Sequence, residues 1–184
     1  MFKNFTLSLV LASTFLFLAC SNDKIEDANS MISKDEYILT SLEKKQYTVK
    51  KEDSGFLLKG AEGKVVIFDI FATWCPPCRG EATHLSSLQE KYKDDLIIIG
   101  ISIENNILDA KLQDFRRRYD ATYMLVNSKT NRTLADAIVS ELDLGERYPI
   151  PIMAVYKDGK YINHFIGATE EELIESDIKI ALGR

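Results

Sequence analysis

Two cysteines separated by two residues are the part of this sequence best suited to chemistry. Cys75 and Cys78 lie in the stretch Trp-Cys-Pro-Pro-Cys-Arg, between an apolar run and an amphipathic helical pattern. Two thiols at this spacing can close a small disulfide ring. A helix N-terminus favours the thiolate of the first cysteine, because its unpaired N–H groups and its dipole stabilise negative charge. We therefore expect Cys75 to attack the disulfide of a partner and Cys78 to resolve the mixed disulfide.

Metal binding is the alternative use of such a cysteine pair. A structural zinc site needs about four Cys or His ligands, and the chain adds only one cysteine and two widely separated histidines, His84 and His164, which we expect at the surface. The ligand count therefore favours redox chemistry, with no metal and no cofactor beyond the Cys75-Cys78 disulfide. A module that holds a soft ion such as Cu(I) between the two thiolates, for delivery, stays open as a second hypothesis.

The composition is that of one globular domain. The chain has 184 residues, of which 46% are hydrophobic and 28% charged, and its formal net charge is -5. This length allows a sizeable core but leaves little room for a second domain. The three arginines at positions 116–118 fall inside a helical pattern beside acidic residues, so nucleic acid is not an expected partner.

The N-terminal segment predicts export and anchoring. Residues 1–19 have the pattern of a secretory signal, and residues 17–20 (Phe-Leu-Ala-Cys) resemble the lipobox of bacterial lipoproteins. We expect lipidation at Cys20, a flexible tether over residues 20–35 and a domain over residues 36–184; the alternative is an ordinary signal peptide followed by an unpaired thiol. A lipoprotein would face the periplasm, or the outside of the cytoplasmic membrane, where disulfides persist.

The hydrophobic pattern predicts the elements that position the dithiol. Residues 65–71 and 96–103 are apolar runs typical of buried parallel strands, and each is followed by apolar residues at helical spacing, which indicates a βαβ unit. Asp-Gly between residues 152–156 and 161–166 predicts a β-hairpin. We also expect an Asn105 or Asn106 cap on the second helix, a capping box at residues 169–172 and a further hairpin, or a helix in its first run, between residues 36 and 59.

Residues 71–79 (Phe-Ala-Thr-Trp-Cys-Pro-Pro-Cys-Arg), with a strand before them and a helix after them, resemble the thioredoxin superfamily. More narrowly, they resemble its membrane-tethered, extracytoplasmic branch, typified by TlpA and ResA, from about residue 47 to the C-terminus. The resemblance implies an α/β thioredoxin fold with a central mixed β-sheet flanked by helices. It also implies a cis-proline opposite the dithiol, at Ile150-Pro151 rather than at Pro149. The substrate-binding residues that it implies are Trp74, Pro76, Pro77, Ile150 and Pro151.

Two acidic residues accompany the dithiol. Asp69 stands where thioredoxins carry a buried acid that exchanges a proton with the resolving cysteine, and burial in an apolar strand should raise its pKa by desolvation. Glu81 matches a glutamate that the ResA-like branch places beside its dithiol; alternatively, it is a first-turn residue that interacts with the helix dipole. Thr83 replaces a usual helix-kinking proline, so we expect a straighter helix.

The resemblance implies an enzyme, a thiol:disulfide oxidoreductase that reduces disulfides in exported proteins and is itself re-reduced by a membrane electron donor. The resemblance also suggests apocytochrome c as one such substrate. The cytochrome-specific relatives carry a Gly-x-x-Gly-x-Pro loop before the cis-proline, and residues 144–151 lack it, which counts against the cytochrome assignment. A peroxidase is a third hypothesis, but the usual proline and threonine upstream of a single peroxidatic cysteine are not matched.

Overall fold

Residues 35–184 are described by the computed structural model, so residues 1–19, Cys20 and all of the predicted tether except Asp35 lie outside the described part. The described strands are β1 Glu36–Thr40, β2 Gln46–Glu52, β3 Gly55–Leu58, β4 Val65–Phe71, β5 Leu96–Ser102, β6 Met124–Val126, β7 Ile152–Lys157 and β8 Lys160–Ile166. The described helices are α1 Pro76–Lys91, α2 Asp109–Tyr119, α3 Asn131–Glu141 and α4 Glu171–Ala181. From residue 35 onwards, no helix has the length and hydrophobicity to cross a membrane.

A mixed sheet with the strand order β6-β5-β4-β7-β8 forms the centre of the domain. β4 pairs in parallel with β5 and antiparallel with β7, and the predicted hairpin of β7 and β8 is present. All seven residues of β4 are buried. Because β4 is covered on both faces, its residues are apolar apart from Asp69.

Two core clusters cover the faces of this sheet. One contains the buried apolar residues of α1, α2 and α4 together with both cysteines of the motif, and the other contains those of α3 and of β1 to β3. Successive side chains of a strand point to opposite faces. In β4, Val65, Ile67 and Phe71 belong to the first cluster, whereas Val66, Phe68 and Ile70 belong to the second. Asp69 therefore points into the layer that contains the dithiol.

The N-terminal addition is a three-stranded antiparallel sheet of β1, β2 and β3. Strands β2 and β3 form the predicted hairpin. The first of the predicted runs, for which a helix was the alternative, is strand β1. Leu39, Val49 and Phe56 are fully buried in the cluster that also contains α3. This sheet thus closes one face of the core, away from the dithiol layer.

Two predicted helix caps are wrong. α2 begins at Asp109 with Leu108 as its N-cap, and no side chain caps it, so neither Asn105 nor Asn106 has that role. α4 has Glu170 as its N-cap, also without a side-chain hydrogen bond. The capping box fails because the backbone N–H of Thr169 donates instead to Glu81 Oε2, at 2.9 Å.

Gly100 is required by close packing between β5 and the dithiol layer. It is the register partner of Asp69 in the parallel pair of β4 and β5. A Cβ atom built on Gly100 would lie 2.6 Å from Leu125 Cδ2, 3.0 Å from Tyr123 Cε2 and 3.2 Å from Phe71 Cε1. All three neighbours are at most 1% exposed. The space over Gly100 is therefore already filled by buried side chains.

We predict that Gly100→Ala lowers the free energy of unfolding by about 1–3 kcal/mol, because overpacking forces buried side chains from their positions. Urea unfolding measures this change. Gly80→Ala is the matched control: Gly80 lies in α1 with no atom within 4 Å of an added Cβ, so its substitution should stabilise by about 0.5–1 kcal/mol. A Gly100→Ala protein as stable as the unsubstituted chain would contradict the packing argument.

Candidate active site

Cys75 occupies the N-cap of α1, as the sequence predicts. Pro76 and Pro77 form the first turn, where the missing N–H groups leave no helical hydrogen bond unmade. The backbone N–H of Cys78 donates to Cys75 Sγ at 3.3 Å. The two cysteines form a disulfide with their Cα atoms 5.3 Å apart, and each is 2% exposed. In the reduced protein, the same N–H group is placed to stabilise a thiolate on Cys75.

The Ile150-Pro151 peptide bond is cis, which confirms the choice of Pro151 over Pro149. The carbonyl oxygen of Ile150 lies 3.6 Å from Cys75 Sγ. The sulfur has no proton while it is in the disulfide, so this is a contact; a Cys75 thiol could donate a hydrogen bond there. The segment before β7 thus lies against the sulfur that we expect to react.

The predicted substrate-binding residues differ in exposure. Trp74 is 58% exposed, and Pro76 and Pro77 are also exposed, so these three side chains offer an apolar surface beside the buried dithiol. Ile150 is half-buried, and Pro151 is buried. Because Pro151 is buried, we expect it to influence a partner only through the backbone. The part of all five residues in binding stays a prediction.

A set of contacts that sequence reasoning missed holds the residues before the dithiol. Glu104 Oε2 accepts a hydrogen bond from the backbone N–H of Thr73 at 2.7 Å, and Glu104 also pairs with Lys111. Arg79 Nε donates to the carbonyl oxygen of Thr73 at 3.1 Å. The sequence did contain a signal for this contact. Because β4 and β5 are parallel, they end at the same edge of the sheet, so Glu104 just after β5 is expected near Thr73 just after β4.

Asp69 is buried in the same layer as the dithiol. It is 2% exposed, and the hydroxyl of Tyr123 donates to its Oδ2 at 2.8 Å. Its Oδ1 has no hydrogen-bond partner within residues 35–184. Burial raises the pKa of Asp69 to about 7, partly opposed by the Tyr123 hydrogen bond and reinforced by the negative charge of Glu81. The predicted pKa shift by desolvation is confirmed, and the carboxyl can gain or lose a proton near neutral pH.

Glu81 is buried rather than exposed to solvent near the helix start. It is 1% exposed and lies beyond the first turn of α1, so the helix-dipole interpretation is wrong. Burial raises its pKa, while the hydrogen bond from the Thr169 N–H and the neighbouring His84 lower it. Its Oε1 is 3.8 Å from His84 Nδ1. His84 is thus only partly a surface residue, since its Nδ1 is buried against this carboxyl.

Comparison with known proteins shows the family of this chain. The family model described as AhpC/TSA family matches residues 40–153. The chain belongs to the AhpC/TSA family. Thiol-disulfide oxidoreductase ResA of Bacillus cereus is 28% identical over 119 residues, which cover 64% of this chain and 64% of that protein. The thioredoxin-like protein YneN of Bacillus subtilis is 33% identical over 73 residues, or 39% of this chain and 43% of that one. The chain spans just under two thirds of the ResA relatives.

Solved structures confirm the predicted thioredoxin fold of this AhpC/TSA-family chain. A thioredoxin family thiol:disulfide interchange protein from Chlorobium tepidum superposes with a TM-score of 0.65 at 22% identity, covering 81% of this chain and 94% of that one. StoA from Bacillus subtilis superposes with a TM-score of 0.55 at 17% identity, covering 77% and 95%. Within residues 35–184, no group of three or more His, Cys, Asp or Glu side chains is arranged to hold a metal ion.

The pKa of Asp69 predicts how stability depends on pH. The folded-state pKa of about 7 exceeds the unfolded value of about 3.9, so the folded chain binds more protons between these values. The free energy of unfolding should therefore fall as pH rises from about 4 to 7, by at most about 1.4 kcal/mol per unit, and level off above. Urea unfolding of the disulfide form at several pH values measures this dependence.

Asp69→Asn should remove this part of the pH dependence, because the amide does not titrate. Asp94→Asn is the matched control, since Asp94 is exposed and its substitution should leave the slope as it is in the unsubstituted protein. If the difference in stability between the unsubstituted protein and Asp69→Asn is the same at every pH, the carboxyl does not titrate as described.

Proposed function

We propose that the chain is a thiol:disulfide oxidoreductase that works through Cys75 and Cys78. The observation that carries the proposal is the placement of Cys75 Sγ at the N-terminus of α1, within 3.6 Å of the Ile150 carbonyl and beside the exposed Trp74. A nucleophilic sulfur with a helix N-terminus behind it and an apolar surface next to it suits attack on a disulfide in another polypeptide. The name of the ResA relatives supports the same activity.

The reaction transfers two electrons from the dithiol to the partner. The Cys75 thiolate attacks one sulfur of the partner disulfide, and the other partner sulfur leaves as a thiolate. Cys78 then gives its proton to Asp69, and the resulting thiolate attacks Cys75 Sγ. The Cys75-Cys78 disulfide forms, the mixed disulfide breaks, and the second partner sulfur leaves. A carboxyl with a pKa of about 7 suits this proton exchange, because both of its forms are populated near neutral pH.

We propose the reducing direction, with disulfides of exported proteins as substrates and a membrane electron donor that restores the dithiol. Support comes from the resemblance of residues 17–20 to a lipobox, which would place Cys20 at a membrane outside the cytoplasm, where partner disulfides persist. Apocytochrome c belongs to this substrate class. Glu81 is a second candidate for proton movement, because it is buried and carries a raised pKa.

The reduction potential of the Cys75-Cys78 pair tests the direction. We predict a value of about -270 mV or lower, at the thioredoxin end of the range. The purified domain is equilibrated with thiol buffers of known potential, and the fraction of disulfide is read by mass spectrometry, with Cys75→Ala as the control. A potential near about -120 mV would mean an oxidant and would overturn the proposed direction.

Substitution of each cysteine tests the assignment of nucleophile and resolving residue. We predict that Cys78→Ala accumulates a mixed disulfide with a peptide disulfide, since Cys75 still attacks and nothing resolves the product. Cys75→Ala should accumulate at least about ten times less, because Cys78 lies one turn into α1 and lacks the N-cap position that favours a thiolate on Cys75. Non-reducing mass spectrometry distinguishes the two variants. Equal trapping would contradict the assignment, and Cu(I) binding without any disulfide turnover would favour the metal-binding alternative.

A further inference from the structure

A buried tyrosine contacts the acid of the dithiol layer from two strands away. The hydroxyl of Tyr123 donates to Asp69 Oδ2 at 2.8 Å, and Tyr123 is 1% exposed. Tyr123 lies just before β6, while Asp69 lies in β4, and β5 separates these strands in the sheet. The tyrosine therefore has to cross β5 to make this contact.

Gly100 leaves room for the Tyr123 side chain to cross β5. It is the residue of β5 that pairs with Asp69, and a Cβ at this position would lie 3.0 Å from Tyr123 Cε2. The ring, together with Leu125 Cδ2 at 2.6 Å, thus occupies space that a side chain at position 100 would need. The absence of a side chain on Gly100 therefore leaves room for the Tyr123 ring, whose hydroxyl reaches the carboxyl of Asp69.

The hydroxyl needs this contact. Burying a phenol hydroxyl without a hydrogen bond costs free energy, so a buried tyrosine is normally satisfied by a partner. Asp69 Oδ2 is that partner, and Oδ1 is left without one within residues 35–184. The two oxygens of Asp69 are therefore unequal: one is held by Tyr123, and the other is available for a proton.

We propose that Tyr123 is a positioning residue for the proton exchange of the dithiol: its hydroxyl holds Asp69 Oδ2, so that Oδ1 is the atom that takes the proton of Cys78. This proposal rests on the proposed function. In the resolving step, the S–H bond of Cys78 breaks, its proton goes to Oδ1, and its electron pair forms the bond to Cys75 Sγ as the partner sulfur leaves.

Tyr123 also favours the form of Asp69 that can accept a proton. A hydrogen bond to an ionised carboxylate is stronger than one to a neutral carboxyl, so the Tyr123 O–H opposes the effect of burial on the pKa of Asp69. Two titratable groups act on Asp69: the Tyr123 hydroxyl, and Glu81 on α1, whose like charge raises the pKa of Asp69. The two cysteines belong to the core cluster on the same face of the sheet, and the register partners of Asp69 on β5 and β7 are Gly100 and Met153, which do not titrate.

Tyr123→Phe tests the proposal, because phenylalanine keeps the ring and removes the hydroxyl. In the disulfide form, where neither cysteine titrates, carboxyl carbon NMR follows Asp69 directly. We expect the substitution to raise the pKa of Asp69 by about one unit. Tyr156→Phe is the matched control, since Tyr156 is equally buried but belongs to the other core cluster. It should leave the Asp69 titration unchanged.

The rate of the resolving step is the second readout. A thionitrobenzoate mixed disulfide is formed on Cys75, and Cys78 releases the coloured thiolate. We expect the pH midpoint of this release in Tyr123→Phe to move upward with the pKa of Asp69, and the rate at pH 7 to fall about five-fold, as expected for a one-unit shift from a pKa near 7. Identical titrations and rate profiles in Tyr123→Phe and the unsubstituted protein would overturn the proposal.

Two further outcomes keep the test decisive. If Tyr123→Phe does not fold, fluorotyrosine at position 123 replaces it; this stronger donor should lower the pKa of Asp69 and move the rate profile downward, and no shift would overturn the proposal. If the unsubstituted protein releases no thiolate through Cys78, the proposed function fails. The proposal on proton exchange then fails with it, whereas the NMR titration still reports the contact of Tyr123 with Asp69.

Discussion

The burial of one carboxyl group in the central strand is the constraint around which this domain is arranged. β4 is covered on both faces, and Asp69 is its only polar residue. A carboxylate in such a place is unfavourable unless it is neutralised or hydrogen-bonded. Within residues 35–184, the side chain of Asp69 receives one hydrogen bond, from Tyr123. Burial raises the pKa of Asp69, which favours its neutral form. An apolar residue at this position would avoid this desolvation cost, so the carboxyl makes the strand less stable than an apolar side chain would.

The same strand brings the reacting parts together. α1 follows β4 after a short turn, which places Cys75 and the N–H groups of the helix at the carboxyl end of the sheet. β7 runs antiparallel to β4, so the segment before it, with the cis bond at Pro151, arrives at the same end. Glu104, after β5, ties down the connecting residues through Thr73. Three neighbouring strands thus each contribute one part of the site at a single edge.

The sequence predicts those parts of the site that lie within a few residues of one another. Cys75, Cys78 and Asp69 belong to one strand-turn-helix unit, and Pro151 is recognisable from the hairpin that follows it. Tyr123 and Asp69 are 54 positions apart, Thr73 and Glu104 are 31 apart, and Glu81 and Thr169 are 88 apart. No local period or cap signals such contacts, because they depend on strand order and register. The failed capping box shows this directly: a tertiary hydrogen bond to Glu81 takes the N–H of the residue expected to cap α4.

The two buried carboxyls beside the dithiol differ in what surrounds them. Asp69 receives its hydrogen bond from a neutral side chain, whereas Glu81 receives one from a backbone N–H and has His84 nearby. The charge of Glu81 raises the pKa of Asp69, so ionisation of one group disfavours ionisation of the other. Under the proposed mechanism, the proton that Asp69 takes from Cys78 removes a negative charge that disfavours the ionised form of Glu81, so the two carboxyls would respond to each other.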